Sequence, residues 1–452
     1  MPSLFRILAV LVLFSVFQAF AHPAYAQDAL PDHVPGEVVV KFRDGASSRA
    51  GYVKVMSTIH SRLGATAIQT VQPLETDPSL AVIKMQDDGL TASALNVLAG
   101  EPAVVYSEPN YIYHTMVTAD SLQGTPNDVN FAKQWNMYNG GQKDAAGKTG
   151  VPGIDLNILP LWQQGIVGNK NVVVAVIDTG IQWDHPDLKN NLYTNPGEVA
   201  NNRKDDDGNG YIDDIHGWNF QKNGANSDDD NGHGTHCAGV IGAAGNNKIG
   251  VTGVNWKVSL MPLKFLSKNG SGSMTDAVNA INYARKMKVN VMSNSWGGGG
   301  FSQTVYDAVK AASDAGILFV AAAGNEGKDN DGRMPSYPAS YDLPNIVSVA
   351  AIDNNEKLAK FSNYGATKVH VAAPGVNIFS TYKKSGYKSL SGTSMATPHV
   401  AGVAALMLSE SPNLTAEEVK SRLINSSAPS ANLNGKVVSQ GRVDAKAAVT
   451  GR

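Results

Sequence analysis

The chain has only one cysteine, Cys237, among its 452 residues. This excludes an intramolecular disulfide and any zinc cluster built from several cysteine ligands. It also lacks an excess of either charge, because 37 Lys and Arg stand against 39 Asp and Glu. There is therefore no electrostatic reason to expect nucleic acid or an anionic membrane as a partner. With 42% hydrophobic residues and 45 glycines, we expect a soluble, glycine-rich globular protein.

The sequence also lacks an apolar run long enough to span a membrane. Residues 7–20 are apolar except for Ser15 and Gln18; Arg6 precedes them, and Ala24, Tyr25 and Ala26 follow. This run is shorter than the roughly 20 residues of a membrane helix, and the small-x-small end is typical of a cleaved signal peptide. We expect residues 1–26 to be a signal peptide and the protein to be secreted, to the periplasm or the medium. A buried N-terminal helix is the alternative.

Residues 27–119 have the pattern of a small separate domain. Strand patterns cover 37–42, 67–71, 80–85 and 103–107, and helix patterns cover 47–63 and 91–98. The order βαββαβ predicts a ferredoxin-like α+β domain. A polar stretch with Pro and Gly follows, and we predict that 120–130 is a linker or the N-terminal segment of the mature enzyme.

From residue 131 to 452 the pattern is α/β. The run NVVVAVID at 171–178 is almost entirely apolar, as expected for a strand buried on both faces. Five similar runs follow, separated in part by helical patterns such as 274–287 and 302–315. The alternation predicts a mostly parallel sheet with helices on both faces. Sites in such sheets form at the carboxyl ends of the strands.

Three residues with catalytic chemistry fall at such positions. Asp178 closes the first buried strand in the string DTG, His233 stands in NGHGTHCAG, and Ser394 stands in GTSMATPHVAG. Acyl transfer needs a hydroxyl nucleophile, an imidazole base, and a carboxylate that fixes the tautomer of the imidazole. The spacing alone does not show that the three residues meet.

The blocks DTG, HGTHCAG, AAAGNEG and GTSMATPHVAG together resemble the signature blocks of the subtilisin-like serine proteases, over about residues 131–449. The resemblance implies that Asp178 orients His233, that His233 is the general base and acid, and that Ser394 is the nucleophile. It also implies that the side-chain amide of Asn325 is an oxyanion-hole donor beside the backbone N–H of Ser394.

The same resemblance implies a peptide-binding cleft between the segments SWGGGG and AAAGN. Exposed glycine backbone can pair with an extended peptide as an added strand. A plain glycine-rich turn is the alternative for SWGGGG. We expect broad specificity with a preference for large apolar or aromatic residues before the scissile bond. The predicted substrate-binding residues are Ser295, Trp296, Gly297, Gly298, Ala323 and Gly324.

The acidic stretch DDDGNGYIDD resembles the beginning of an EF-hand calcium loop. Its twelfth position is His216 instead of Glu, so Asp213 or Asp214 would have to complete the ligands. A solvated acidic turn is the alternative. The predicted ligands are Asp205, Asp207, Asn209, the carbonyl of Tyr211, and Asp214.

A second structural calcium site is implied by similarity to the subtilisins. Two distant segments, HPDLK and GNNKIGVTGV, match the pieces that form it. The run 228–230 before His233 is either a third site or a charged loop. The implied ligands of the second site are Asp187, Asn247 and the carbonyls of Gly245, Ile249 and Val251.

The N-terminal domain resembles the inhibitory propeptide common in this family, and its tail, 108–114, would occupy the cleft. A permanent accessory domain is the alternative. We therefore expect a monomeric, calcium-stabilised serine endopeptidase made as a self-processing zymogen. A serine esterase of the α/β-hydrolase kind requires a different residue order, with serine first. A catalytically silent binding protein would be indicated by loss of a triad residue, and none is missing from the sequence.

Overall fold

The computed structural model describes residues 33–43, 49–74, 77–111, 125–298 and 300–451. The chain divides near residue 120 into two compact units. The predicted signal peptide, 1–26, lies outside the described residues. Among the helices within the described ranges, none is both long and apolar enough to cross a membrane.

The first unit has the predicted βαββαβ order. Its sheet has the strand order β2-β3-β1-β4, and all neighbouring strands are antiparallel, as in a ferredoxin-like domain. Val38, Val40 and Phe42 alternate along β1 and turn into a core that includes Ile59 and Leu95 from the helices. The elements are β1 (His33–Phe42), α1 (Arg49–Leu63), β2 (Ile68–Leu74), β3 (Asp77–Met85), α2 (Thr91–Leu98) and β4 (Val104–Tyr111).

The last strand of this unit is longer than predicted. Strand β4 continues through Tyr111, and Glu108 and Pro109 pair with Val39 and Val38 of β1. Pro109 is tolerated because β4 is an edge strand, where a missing N–H costs no ladder bond on the open side. The first four residues of the predicted tail 108–114 therefore belong to the sheet, which corrects that prediction, and residues 112–114 lie outside the described residues.

The second unit alternates strands and helices. Its elements are α3 (Leu159–Gln163), β5 (Val173–Asp178), β6 (Trp218–Asn219), α4 (His233–Gly242), β7 (Ser259–Lys264), α5 (Met274–Lys286), β8 (Val291–Asn294), α6 (Gln303–Asp314), β9 (Leu318–Ala322), β10 (Ile346–Ile352), β11 (Val371–Pro374), β12 (Ile378–Tyr382), β13 (Gly386–Leu390), α7 (Thr393–Glu410), α8 (Ala416–Asn425), β14 (Ala428–Pro429), β15 (Gly441–Arg442) and α9 (Ala445–Thr450).

The main sheet is parallel except at one edge. Its order is β14-β15-β11-β10-β9-β8-β5-β7-β6, and only the β14–β15 pair is antiparallel. From β5 the chain adds β7 on one side and then crosses to add β8 on the other. The strand order therefore reverses at β5, and a crevice forms beyond the carboxyl end of this strand.

Helices cover both faces of the sheet, as predicted. Val174 and Val176 of β5 belong to one core, which holds the apolar residues of α4 and α7. Ala175 and Ile177, which point the opposite way, belong to a second core that holds those of α5 and α6. The mostly parallel, doubly covered α/β architecture is confirmed.

The second unit begins earlier than residue 131. The Asn130 N–H donates to the carbonyl of Gly250 (2.8 Å), and the Asp128 carboxylate accepts from the N–H of Asn246 (2.8 Å). Residues 125–130 of the predicted linker 120–130 are thus part of the second unit, because their polar groups bond to the loop at 246–250. The apolar pattern begins only at residue 131 and does not reveal this.

Candidate active site

Asp178 and His233 form a hydrogen-bonded pair at the carboxyl edge of the sheet. Asp178 is the buried last residue of β5, and His233 is the first residue of α4. Nδ1 of His233 lies 2.8 Å from Oδ1 of Asp178 and 3.0 Å from Oδ2. A carboxylate can only accept, so Nδ1 carries the proton and the neutral imidazole has Nε2 as its free acceptor.

The charge of Asp178 also controls the protonation of the imidazole. Burial opposes the charged form of His233, but the Asp178 carboxylate, through its charge and its hydrogen bond, outweighs burial and raises the pKa of His233 above its ordinary value. The imidazole is therefore a stronger base than a free histidine side chain.

The start of α4 is held tightly against the DTG turn. The N–H of Gly234 donates to Oγ1 of Thr179 (2.9 Å), and the Asp229 carboxylate accepts from the N–H and hydroxyl of Thr235 (3.0 and 2.7 Å). A Cβ at position 234 would collide with the carbonyl oxygen of Gly180. Glycine in the HGTH motif thus permits the close approach that brings His233 to Asp178.

Ser394 is the second residue of α7 and lines the same cleft as His233, a cavity of about 890 Å³. Its hydroxyl donates to the carbonyl of Ser295 (3.1 Å). Pro398, four residues later, has no N–H for the carbonyl of Ser394. That carbonyl accepts from Oγ of Ser295 (2.9 Å) and Sγ of Cys237 (3.4 Å). The proline thereby frees a carbonyl through which neighbouring segments fix the serine.

Asn325 follows β9 and faces the start of α7. Its Oδ1 accepts from the N–H and from the hydroxyl of Thr393, both at 2.9 Å. The backbone N–H can only donate, so this end of the amide is the oxygen. Nδ2 is thereby left as a donor, and Asn325 lines the cleft together with Ser394.

The predicted substrate-binding residues line the cleft, with one exception. Ser295, Trp296, Gly297, Gly298 and Gly324 all border it. Ala323 is fully buried: its N–H donates to the carbonyl of Val349 (3.0 Å), and its carbonyl accepts from Asn330 (2.9 Å). The prediction for Ala323 is wrong, because both of its backbone groups are already bonded inside the protein.

Apolar side chains form much of the cleft wall. The ring of Trp296 packs edge-on against Phe265 at 5.0 Å, and Phe301 packs edge-on against Tyr337 at 5.5 Å. Gly298 has φ of +133° and donates to the carbonyl of Tyr337 (3.1 Å). A side chain at position 298 would be strained, so the glycine is required by the backbone as well as by the open cleft.

A buried acidic cluster lies around Asp187. Its carboxylate accepts from the N–H of Val251 (2.9 Å), Nδ2 of Asn247 (2.8 Å) and the hydroxyl of Tyr387 (2.9 Å). A Cβ at Gly250, where φ is +40°, would collide with this carboxylate. The structure therefore brings the loop 245–251 against Asp187, as the similarity to the subtilisins implied.

Asp128 is a member of this cluster that the sequence analysis missed. It is buried, and its Oδ1 has no hydrogen-bond partner among the described residues. Burial, with a smaller contribution from the charge of Asp187, raises the pKa of Asp128 to about 6. Asp128 lies in the predicted linker, and no sequence pattern there distinguishes it from an ordinary polar residue.

The acidic stretch 205–214 contributes carboxylates to two neighbouring positions. The carboxylates of Asp205 and Asp207 lie with that of Glu198, all ligand atoms being within 4.8 Å of one another. Glu198 was missed because it precedes the DDDGNGYIDD stretch. Asp214 is buried and lies beside this group; it accepts from Nδ2 of Asn195 (3.0 Å), Nδ2 of Asn209 (2.8 Å) and the hydroxyl of Tyr283, and the same two amides also donate to Asp207. The N–H of Tyr211 donates to Oδ1 of Asn209 (2.8 Å).

The run 228–230 has protein partners for each carboxylate. Asp228 accepts from the N–H of Trp183 (3.0 Å), Asp229 accepts from residues at the start of α4, and Asp230 pairs with Lys264 (2.8 Å). These contacts favour the second of the two interpretations given above, a charged loop, over a third metal site.

The fold and the cleft define the class of the protein. It is an α/β protein with a carboxylate–imidazole pair and a serine at the start of a helix, all near the carboxyl ends of the parallel strands. The sequence profile of the subtilase family matches residues 169–444, and that of the fervidolysin N-terminal prodomain matches residues 21–110. Thermitase of Thermoactinomyces vulgaris is 39% identical over 63% of this chain and 90% of its own length. The thermophilic serine proteinase of Bacillus sp. (strain AK1) is 33% identical over 92% of this chain and 88% of its own.

The chain belongs to the subtilase family. It is a subtilisin-like serine protease with an N-terminal prodomain.

Proposed function

We propose that the protein is an endopeptidase that cleaves peptide bonds through Asp178, His233 and Ser394. The observation that carries the proposal is the Asp178–His233 hydrogen bond in the cleft that Ser394 also lines. The apolar wall that includes Trp296 and Phe301 supports a preference for peptides with large apolar side chains.

In the first step the Ser394 hydroxyl turns from the Ser295 carbonyl to Nε2 of His233, which takes its proton. Oγ then bonds to the substrate carbonyl carbon, and the carbonyl π electrons move to the oxygen. Nδ2 of Asn325 and the N–H of Ser394 donate to that oxyanion. His233 next protonates the leaving amine as the C–N bond breaks. Water, deprotonated by His233, finally hydrolyses the acyl-enzyme and regenerates the Ser394 hydroxyl.

The prodomain is proposed to be an inhibitor that the enzyme removes from itself after export. The prodomain match and the compact βαββαβ unit support this proposal. The test is the intact mass of secreted wild type, Ser394→Ala, and the control Ser391→Ala, which changes an exposed serine three residues earlier.

We expect the wild type and Ser391→Ala to lose the prodomain, with the mature chain beginning between residues 115 and 123, and Ser394→Ala to remain intact. Cleavage of all three would mean that another protease acts in trans, and casein hydrolysis by each purified chain would then decide. An uncut wild type that also leaves casein intact would favour the silent binding protein.

We further propose a structural calcium ion at Asp187. Asp187 and Asp128 are both buried, the charge of Asp187 contributes to the raised pKa of Asp128, and one oxygen of Asp128 has no partner within the described residues. The carbonyls of Gly245, Ile249 and Val251 accept no hydrogen bond from the described part of the chain. Hard oxygen donors around an uncompensated charge are what calcium requires. The amide of Asn247 would turn its oxygen toward the ion.

A second calcium ion is proposed at the cluster of Glu198, Asp205 and Asp207. The three carboxylates converge on a loop that carries further oxygen donors in Asn209 and Tyr211. Asp214 would contribute indirectly, since its hydrogen bonds to Asn209 and Tyr283 anchor this loop to helix α5.

A further inference from the structure

Lys264, the last residue of β7, is buried with only 1% of its side chain exposed. Its ammonium group donates to the carbonyl of Thr179 (2.6 Å), the carbonyl of Leu266 (3.0 Å) and Oδ1 of Asp230 (2.8 Å). An ammonium has three N–H donors, so each has one acceptor. A buried cation with every donor satisfied is costly to place and holds its partners in one geometry.

The three acceptors belong to three separate segments at or beside the cleft. Thr179 follows Asp178, which pairs directly with Lys264 in the β5–β7 register. Asp230 lies in the loop that leads to His233, and Leu266 lines the cleft. One side chain therefore joins the segment that carries the acid of the catalytic pair to the segment that carries the base.

The contacts around Lys264 leave little freedom between these segments. Asp229, the neighbour of Asp230, accepts from the N–H groups of Gly232 and Thr235 on either side of His233. The loop is thus bonded to α4 through Asp229 and to Lys264 through Asp230. Releasing Asp230 would allow the start of α4 to shift relative to the DTG turn.

We propose that Lys264 is a positioning residue that fixes the geometry of Asp178 against His233. The proposal rests on the proposed endopeptidase mechanism, since it acts through that pair. Lys264 is not among the residues that line the cleft, so its effect is expected in the chemical step. A shift of about 1 Å in a catalytic pair can reduce turnover by about 10²-fold.

The test uses Lys264→Met, which keeps the chain length and removes the ammonium group. Lys420→Met is the matched control, because Lys420 on α8 is only half-buried and its one hydrogen bond within the described ranges is to the distant carbonyl of Leu343 (3.5 Å). Active sites of each mature enzyme are counted by titration with a serine-directed fluorophosphonate. kcat per titrated site and KM are then measured on a peptide substrate.

We expect kcat per site to fall by about 10-fold to 100-fold in Lys264→Met, with KM within about threefold of wild type. Lys420→Met should retain both values. Asp230→Asn keeps a neutral acceptor and should lose about fivefold in kcat, because a charge-assisted hydrogen bond becomes an ordinary one.

A purely structural lysine would lower the melting temperature and the yield of active sites, but kcat per site would stay at the wild-type value. That result in Lys264→Met overturns the proposal. Should this variant fail to fold or mature, Asp230→Asn decides, and wild-type kcat in it also overturns the proposal. A wild type that the reagent does not titrate would instead refute the endopeptidase mechanism itself.

Discussion

Removal of the Asn325 side chain tests the electrostatic part of the mechanism. Oδ1 of Asn325 is fixed by two hydrogen bonds from Thr393, so Nδ2 is held in the cleft before substrate arrives. A donor fixed in advance needs no reorganisation as the oxyanion forms. We expect Asn325→Ala to reduce kcat by about 10²–10³, or roughly 2.7–4 kcal/mol, a range established for subtilisin.

The anchoring of this amide predicts a second, smaller effect. Thr393→Val removes the hydroxyl, one of the two donors to Oδ1, and leaves the backbone donor in place. A neutral hydrogen bond contributes about 0.5–1.5 kcal/mol, which corresponds to a loss of roughly twofold to tenfold in kcat. Thr393→Ser keeps the hydroxyl and is the matched control, with near wild-type turnover expected.

The assay is kcat and KM per titrated active site, with pre-steady-state acylation to isolate the first chemical step. Because the oxyanion exists only along the reaction, the loss in Asn325→Ala should fall on kcat with KM nearly unchanged. A loss confined to KM, or a change of less than about threefold in kcat, would contradict the assignment of Asn325. Equal losses in the valine and serine variants at position 393 would contradict the anchoring argument.

Three further predictions concern pH and metal. His233 acts as a base only when it is neutral, so kcat/KM should fall as pH drops through the raised pKa of His233. Asp178→Asn should move this fall in kcat/KM to lower pH and reduce kcat by about 10⁴. A pH–rate profile of each enzyme measures both effects. Chelation should lower the melting temperature, since calcium at 100 times the Kd of a site adds about 2.7 kcal/mol to the free energy of unfolding. An unchanged melting curve would count against both calcium sites. Asp128→Asn should raise the melting temperature of the chelated enzyme, because it removes the repulsion between Asp128 and Asp187. In excess calcium the same substitution should lower the melting temperature, because a carboxylate of the proposed site is lost. Calorimetry under both conditions should show these opposite changes.

The sheet and the residues at its strand ends could be predicted because both follow from local patterns. The buried strand 173–178 is a continuous apolar run, and its end at Asp178 coincides with the point where strand order reverses. Parallel strands present their carboxyl ends at one edge, so a polar residue at such an end is already placed near the crevice. That Asp178 pairs with His233 could be established only from the three-dimensional structure.

Residues that depend on backbone pairing or on distant loops could not be predicted in the same way. Ala323 stands one residue beyond β9, yet its N–H still bonds toward β10, so one block contains both cleft-lining and interior residues. Asp128 and Glu198 approach their acidic partners across loops without periodicity. A lone carboxylate in a polar segment carries no pattern until the fold shows what it faces.

The catalytic site and the two acidic clusters are held in place by different parts of the fold. Asp178, Ser394 and Asn325 are attached to the sheet edge or to a helix packed on it, so their positions depend on the cores on both faces of the sheet. The segments around Asp187 and Asp205 consist of loops whose polar groups bond mainly to one another. Within the described ranges, the buried carboxylates of Asp187 and Asp128 form no ion pair with a Lys or Arg side chain, and a bound divalent ion would balance their charge. Stability and chemistry are therefore expected to respond separately, with metal removal acting first on the loops while substitutions at the sheet edge act on turnover.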